Sequence, residues 1–255
     1  MTRWIPANPS VTQPEVRRPS RRVAMYAAAA AAGLSLTAFA VPAARAVAPP
    51  ASGCAAVNLI VARASTEAPG EGVTQNLATQ IVNSSTQTVS QEAVVYPATL
   101  TNYTSSESQG VTNAEQELTT AVSNCPNQKE VLLGYSQGAE VSMDVIAGNS
   151  EVGGTVTPVS TAISSHVVAI ANFGDPGHVV GQSWDLGTAT RAGLFPRSSA
   201  QLRLLTAFGG SGEIAAWCDS NDPYCASGIN LEVHLTYLNR YQSAAASFVL
   251  SKIGG

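Results

Sequence analysis

Gly134-Tyr135-Ser136-Gln137-Gly138 sets one serine between two glycines. The run Glu130-Val131-Leu132-Leu133 ahead of it reads as a strand, and Ala139 to Ala147 behind it reads as a helix stopped by Gly148 and Asn149. Strand, tight turn and helix hold a serine hydroxyl clear of the backbone only if positions 134 and 138 carry no bulky side chain. The helix start also leaves N–H groups free, including that of Gln137, to face a developing oxyanion. A serine hydroxyl is a poor nucleophile until a base takes its proton and a carboxylate orients that base. The chain has three His. His166 opens a strand-like run and His178 lies in a Gly-rich stretch, so both read as structural or merely exposed. His234 follows the last strand-like run and opens the C-terminal helical segment. Asp222 precedes it within a short segment bounded by two cysteines, with Asp219 as its competitor in the same segment.

Four cysteines allow three pairings. Cys218 and Cys225 are separated by Asp219-Ser220-Asn221-Asp222-Pro223-Tyr224, a turn-rich sequence that closes easily, which leaves Cys54 for Cys125. A zinc site is not expected, because no C-x2-C spacing occurs and no histidine is close to a cysteine pair. No other metal or cofactor is implied.

These residues need a frame. Short apolar runs at Ala56 to Ala62, Ala93 to Tyr96, Val131 to Leu133, Val167 to Ala171 and Ile214 to Trp217 read as strands buried on both faces. Segments near 74–89, 110–124, 138–147 and 235–252 have helical length and spacing. The alternation implies an α/β domain with a parallel sheet and right-handed crossovers. Residues 174–212 have no clean period and read as a long excursion beside the sheet. The order Ser136, Asp222, His234 is the one expected of an α/β-hydrolase fold.

Of the 255 residues 45% are hydrophobic and 12% charged, enough for one core and too few charges for a coiled coil or a disordered chain. Residues 1–46 hold six Arg and one Glu, whereas 47–255 hold seven Lys+Arg and sixteen Asp+Glu, a net charge of −9 that disfavours nucleic acid and anionic lipid as partners. Arg17, Arg18, Arg21 and Arg22 precede an apolar stretch from Val23 to Val41, followed by Ala44-Arg45-Ala46. Residues 1–46 therefore read as a signal peptide, with Ser20-Arg21-Arg22 similar to a twin-arginine signal, and 47–255 as the exported domain. The Ala-rich stretch, interrupted by Gly33 and Thr37, makes a poor membrane anchor, so stable membrane insertion is not expected.

The motifs together resemble the cutinase family, which includes fungal cutinases, acetylxylan esterases and actinobacterial cutinase-like esterases. The residues that carry the resemblance are Gly134 to Gly138, Cys54 followed by Val61-Ala62-Arg63-Ala64-Ser65-Thr66-Glu67, and Cys218-x-x-x-Asp222-x-x-Cys225 followed by His234. The resemblance implies a three-layer α/β-hydrolase with a five-stranded parallel sheet and a Ser136, Asp222, His234 triad. It also implies disulfides Cys54–Cys125 and Cys218–Cys225, and an oxyanion hole from the N–H groups of Gln137 and Ser65 with help from the Ser65 hydroxyl. Ala64 departs from the glycine common there in fungal members. The stretch between the fourth and fifth strands is longer than in fungal cutinases and closer to actinobacterial relatives.

The expectation is a secreted, monomeric carboxylic ester hydrolase that works through an acyl-enzyme, without cofactor, on short to medium acyl chains of a polyester, lipid-like ester or acetylated polysaccharide. A lipase, phospholipase or acyltransferase would use the same triad. A carbohydrate- or lipid-binding module on a hydrolase scaffold is the non-enzyme alternative, and it would have no need of the triad.

Overall fold

The computed structural model describes residues 53–149 and 156–254, so the leader expected over 1–46 lies outside the described residues. The central sheet contains β1 (Val57–Ala62), β2 (Val89–Ala93), β3 (Lys129–Tyr135), β4 (Val167–Phe173), β5 (Asp185–Leu186) and β6 (Ile214–Trp217). Its strand order is β2-β1-β3-β4-β6-β5, and every pairing is parallel. The expected count of five is thus corrected to six. The added strand is a two-residue piece of the 174–212 excursion, held against β6 by Ala216 N–H to Trp184 O at 3.1 Å and Cys218 N–H to Leu186 O at 2.9 Å.

Alternation along the inner strands divides the core into two layers. Leu59, Val61, Leu133 and Phe173 face one layer, covered by α1 (Gln75–Ser84) and α7 (Tyr237–Ile253). Ile60, Leu132 and Ile170 face the other, covered by α2 (Tyr103–Asn124), α3 (Gln137–Ala147) and α5 (Ser199–Gly209). Two short helices, α4 (Thr161–Ser164) and α6 (Leu231–Leu235), complete the set. Each fully buried Leu or Ile in these layers contributes about 1.5–3 kcal/mol over its exposed state. No described helix is long and apolar enough to cross a membrane.

Three elements differ from the sequence reading. β2 lies at Val89–Ala93 and not at Ala93 to Tyr96, because register with β1 pairs Val57 with Val89 and Val61 with Ala93. As an edge strand it carries exposed Ser90, Gln91 and Glu92, which leave no apolar run to detect. α2 begins at Tyr103 and not near residue 110. Gly110 is an interior contact: a Cβ there would lie 2.7 Å from Val141 Cγ2 and 2.9 Å from Tyr96 Cδ2, so the glycine lets the helix approach α3. The excursion, read as a long stretch beside the sheet with no clean period, contains α5, whose start is fixed by a reciprocal capping box between Ser198 and Gln201.

Two disulfides brace the frame. Cys54–Cys125 ties the segment before β1 to the end of α2, and Cys218–Cys225 closes a loop directly after β6.

Candidate active site

Ser136 stands between β3 and α3 with φ 55° and ψ −120°, a conformation that costs a non-glycine residue about 1–3 kcal/mol. Packing enforces it. A Cβ at Gly138 would lie 2.0 Å from Ala62 O and 2.6 Å from Arg63 O, and one at Gly134 would lie 2.3 Å from Gly138 O. The turn is therefore pressed between the end of β1 and its own helix. Ser136 N–H donates to Phe173 O at 2.8 Å, which locks the turn to β4. Gln137 is the first residue of α3, so its N–H has no intrahelical acceptor. Its side chain is held away from that N–H by Ser106 Oγ, which donates to Gln137 Oε1 at 3.0 Å, and by Thr99 O, which accepts from Gln137 Nε2 at 3.3 Å.

The close approach of Gly138 to Ala62 and Arg63 also brings the loop after β1 onto the first turn of α3. That loop is braced from both sides. The Arg63 guanidinium donates to Glu67 O, Val94 O and Tyr96 O and lies 4.9 Å from the Tyr96 ring centroid, while Tyr96 donates its hydroxyl back to Arg63 O. Glu67 accepts from Ala64 N–H at 2.7 Å and from Val73 N–H at 2.8 Å. Ser65, within this loop, has a buried hydroxyl with no hydrogen-bond partner among the described residues.

Asp222 and His234 meet directly. His234 Nδ1 lies 2.8 Å from Asp222 Oδ2, with the carboxylate fully buried. Asp222 Oδ1 accepts the N–H groups of Tyr224 at 2.7 Å and Cys225 at 3.0 Å, and Tyr237 donates its hydroxyl to Oδ2 at 2.8 Å. Burial alone would raise this carboxyl. The hydrogen bond and charge of His234, with the N–H groups of Cys225 and Tyr224, outweigh burial and hold it below the usual carboxylate range. Asp222 is therefore ionised and accepts only, which assigns the shared proton to His234 Nδ1 and leaves Nε2 as the ring nitrogen not engaged by the carboxylate.

Several contacts bring His234 to the same end of the sheet as Ser136. Tyr135, adjacent to Ser136, donates its hydroxyl to His234 O and meets the imidazole edge-on at 5.7 Å between centroids. A Cβ at Gly174, next to the Phe173 that accepts from Ser136, would lie 2.8 Å from His234 Cε1. Tyr224 covers the ring from the loop side at 4.4 Å. No hydrogen bond joins His234 to the Ser136 hydroxyl among the described residues; such contacts are often loose without substrate and tighten when it binds.

The competing residues have other duties. Asp219 accepts from Thr188 N–H and Oγ1, Tyr241 and Arg240 and does not touch His234. His166 sits half-buried at the start of β4, away from the strand ends that carry Ser136 and Asp222. His178 is buried, with Nδ1 2.9 Å from Cys225 O and Nε2 3.6 Å from Asp185 Oδ1. Trp184, in the 174–212 excursion, is buried in the core layer beneath α3 and α5. Leu194 is exposed, and Phe195 packs 5.2 Å from Tyr103.

Among the described residues no group of three or more His, Cys, Asp and Glu is arranged to hold a metal. A cavity of about 740 Å³ runs between β2 and α2 beside Asn58, Glu92, Glu117 and Gln128, at the opposite ends of the strands from Ser136.

A protein-family model, Cutinase, matches residues 53–253. The chain belongs to the cutinase family. This cutinase-family chain is 31% identical over 212 residues to acetylxylan esterase 2 of Talaromyces purpureogenus, covering 79% of this chain and 88% of that protein. It is 32% identical over 230 residues to phospholipase Culp4 of Mycobacterium tuberculosis, covering 89% of each. Among solved structures, an acetylxylan esterase at 29% identity superposes with a TM-score of 0.70, over 79% of this chain and all of that one. The cutinase-family chain is a carboxylic ester hydrolase on an α/β-hydrolase fold.

Sequence reading passed over the tyrosines around the Asp222–His234 pair and the Arg63–Tyr96 brace. Tyr135 was visible as the residue before Ser136, but the direction of its hydroxyl is a tertiary outcome with no signature in spacing.

Proposed function

We propose that this chain is an exported serine esterase in which His234 deprotonates Ser136 and the serine attacks an ester carbonyl. The N–H groups of Gln137 and Ser65, with the Ser65 hydroxyl, stabilise the tetrahedral oxyanion. His234 then protonates the leaving alcohol, and water hydrolyses the acyl-enzyme by the same steps in reverse order of roles. The observation that carries the reading is the buried Asp222–His234 hydrogen bond at 2.8 Å, in which the carboxylate has every other valency occupied by the protein. Two disulfides and the Arg-rich leader of residues 1–46 support export.

The acyl chain is short to medium, about four to eight carbons. The excursion that would have to act as a lid is fastened: Arg197, between β5 and α5, donates to Asp144 Oδ1 at 2.8 Å, Asp175 Oδ2 at 2.6 Å and Glu140 O at 3.2 Å. Without a lid to close over it, an acyl chain beside Ser136 would gain about 0.8 kcal/mol per buried methylene until further carbons remain in water. A phospholipase-like second reading is favoured by one feature, the exposed Ile229, Leu231 and Leu235 that flank His234.

The test is a p-nitrophenyl ester series from two to sixteen carbons on the purified protein, with Ser136→Ala alongside. Turnover and phosphonate labelling that vanish in Ser136→Ala, and a maximum at four to eight carbons, are expected. Retained activity in Ser136→Ala would overturn the mechanism. A sharp rise above the critical micelle concentration, or preference for sixteen carbons, would replace esterase by lipase.

A further inference from the structure

We propose that Tyr237 is a positioning residue for the Asp222–His234 pair: its hydroxyl shares Asp222 Oδ2 with the imidazole and holds the carboxylate in the plane of His234 Nδ1. This rests on the triad reading above and adds to it a fourth side chain, supplied by α7.

The direction of the hydroxyl is forced. Asp219 N–H lies 2.7 Å from Tyr237 Oη, and an amide N–H only donates, so it occupies a lone pair of the phenol oxygen. The phenol proton must leave on another side. Asp222 Oδ2 lies there at 2.8 Å, whereas the other neighbour, Cys225 Sγ at 3.2 Å, is a disulfide sulfur and a weak acceptor. Tyr237 therefore grips the loop closed by Cys218–Cys225 at two points, one of them the proposed catalytic carboxylate.

The ring cannot swing away. Tyr237 is fully buried, meets Tyr135 edge-on at 6.1 Å and lies 6.3 Å from Phe173, while a Cβ at Gly174 would stand 3.1 Å from Tyr237 Cε2. Arg240 lies over its other face at 4.9 Å. The hydroxyl is thus delivered by α7, which starts just after α6, to the same Asp222 oxygen that meets His234 Nδ1.

A second donor on Oδ2 disperses charge that would otherwise stabilise the imidazolium, and it stops the carboxylate rotating out of line. Loss of the hydroxyl lets Oδ2 favour the imidazolium more strongly, so the acid limb of the pH–rate profile moves up, and a less constrained Asp222 lowers kcat. The groups that face this assembly are Asp219 and Tyr224 from the loop, Tyr135 from β3, His234 from α6, Arg240 and Tyr241 from α7, and Glu67 from the loop after β1 through its field on Tyr135. Burial pushes Tyr135 up to about 12, and burial with the charge of Asp222 holds Tyr237 far above its ordinary value, so neither titrates across an assay from pH 5 to 9.

The experiment is a pH–rate profile of Tyr237→Phe with p-nitrophenyl butyrate, with the His234 titration followed by NMR in a Ser136→Ala background. Expected are an upward move of the acid limb by about half a unit, a roughly tenfold fall in kcat, KM within twofold, and an NMR midpoint that moves in the same direction. Site-specific 3-fluorotyrosine at position 237 keeps the shape and strengthens the donor, so it should move the acid limb down; this arm remains informative if Tyr237→Phe fails to fold. An acid limb and NMR midpoint unmoved in the variants that fold, whatever their melting temperature, would reduce Tyr237 to a packing residue and overturn the proposal. A moved NMR midpoint in a protein whose Ser136→Ala form still turns over ester would instead uphold the Tyr237 contact and sink the triad.

Discussion

Replacement of Asp222 by asparagine has an outcome that follows atom by atom. Oδ1 already accepts two N–H groups, from Tyr224 at 2.7 Å and Cys225 at 3.0 Å, so the new amide keeps its carbonyl there and turns its NH2 toward His234 and Tyr237. Two donors then face each other across 2.8 Å. The imidazole relieves this by moving its proton to Nε2, so that Nδ1 accepts, and Nε2 can no longer take the serine proton. Loss of the active tautomer costs about 10³ to 10⁴ in kcat, or about 4–5.5 kcal/mol of transition-state stabilisation. Tyr237 is stranded between the Asp219 N–H and the new NH2, with only the sulfur of Cys225 left to donate to. The assay is kcat and KM with a soluble butyrate ester, beside a thermal melt. Asp219→Asn is the control, because its carboxylate serves Thr188, Tyr241 and Arg240 and not the imidazole, so it should cost about 1–2 kcal/mol of stability and less than tenfold in kcat. A larger kcat loss in Asp219→Asn than in Asp222→Asn would refute the reasoning.

The same variant carries a pH signature. Asp222 sits below the usual carboxylate range in the folded protein, so the unfolded chain binds its proton first as pH falls. The stability it contributes is therefore fully present above about pH 4 and is lost as pH drops through the folded value. Asp222→Asn should be less stable at neutral pH and lose less of what remains on acidification.

Gly138→Ala should abolish turnover and lower the melting temperature, since its Cβ would sit 2.0 Å from Ala62 O; activity within tenfold of the parent would show that the turn can relax. Removal of Cys54–Cys125, which spans 71 residues, should cost about 4 kcal/mol in urea unfolding with little change in kcat at 25 °C. Removal of Cys218–Cys225, which spans 7, should cost about 2.5 kcal/mol on the same chain-entropy scale but lower kcat more, because the loop carries Asp222; the reverse ranking in kcat would count against a positioning role for that loop. Burial raises Glu107 to about 7, so between about pH 4.5 and 7 the unfolded chain ionises before the folded one and stability falls by an amount on the order of 3 kcal/mol. Glu107→Gln keeps an acceptor for Asn149 Nδ2 and should flatten that fall, whereas an unchanged slope in urea midpoints would assign it to other carboxyls.

What could be read from sequence was what is dictated locally. β1, β3, β4 and β6 are buried on both faces, and that condition writes itself as an apolar run. Gly134 is set by Gly138 O within its own turn and Gly138 by Ala62 O and Arg63 O at the end of β1, yet two glycines flanking a serine between a strand-like and a helix-like run made the elbow visible as well. β2 was misplaced because an edge strand answers to solvent, and α2 was shortened because Gly110 marks a crossing contact with Val141 and not a helix end. α5 did have a local signal in Ser198 and Gln201, one capping box within a stretch otherwise dense in turn residues. The hydroxyls of Tyr135 and Tyr237 had none, since their partners are 99 and 15 residues away and are chosen by packing.

The site also obeys a rule that no single motif states. Ser65 follows β1, Ser136 follows β3, Gly174 follows β4 and Asp222 follows β6. These are four neighbouring strands in the sheet, all parallel, so each C-terminal end opens onto the same edge. Parallel pairing of neighbouring strands thus brings residues up to 157 positions apart in the chain to one edge of the sheet. The Gly174 contact shows the tolerance involved: a single Cβ there would come within 2.8 Å of the imidazole and 3.1 Å of Tyr237. Gly174, the first residue after β4, therefore sets how closely the His234 imidazole and the Tyr237 ring behind it can pack.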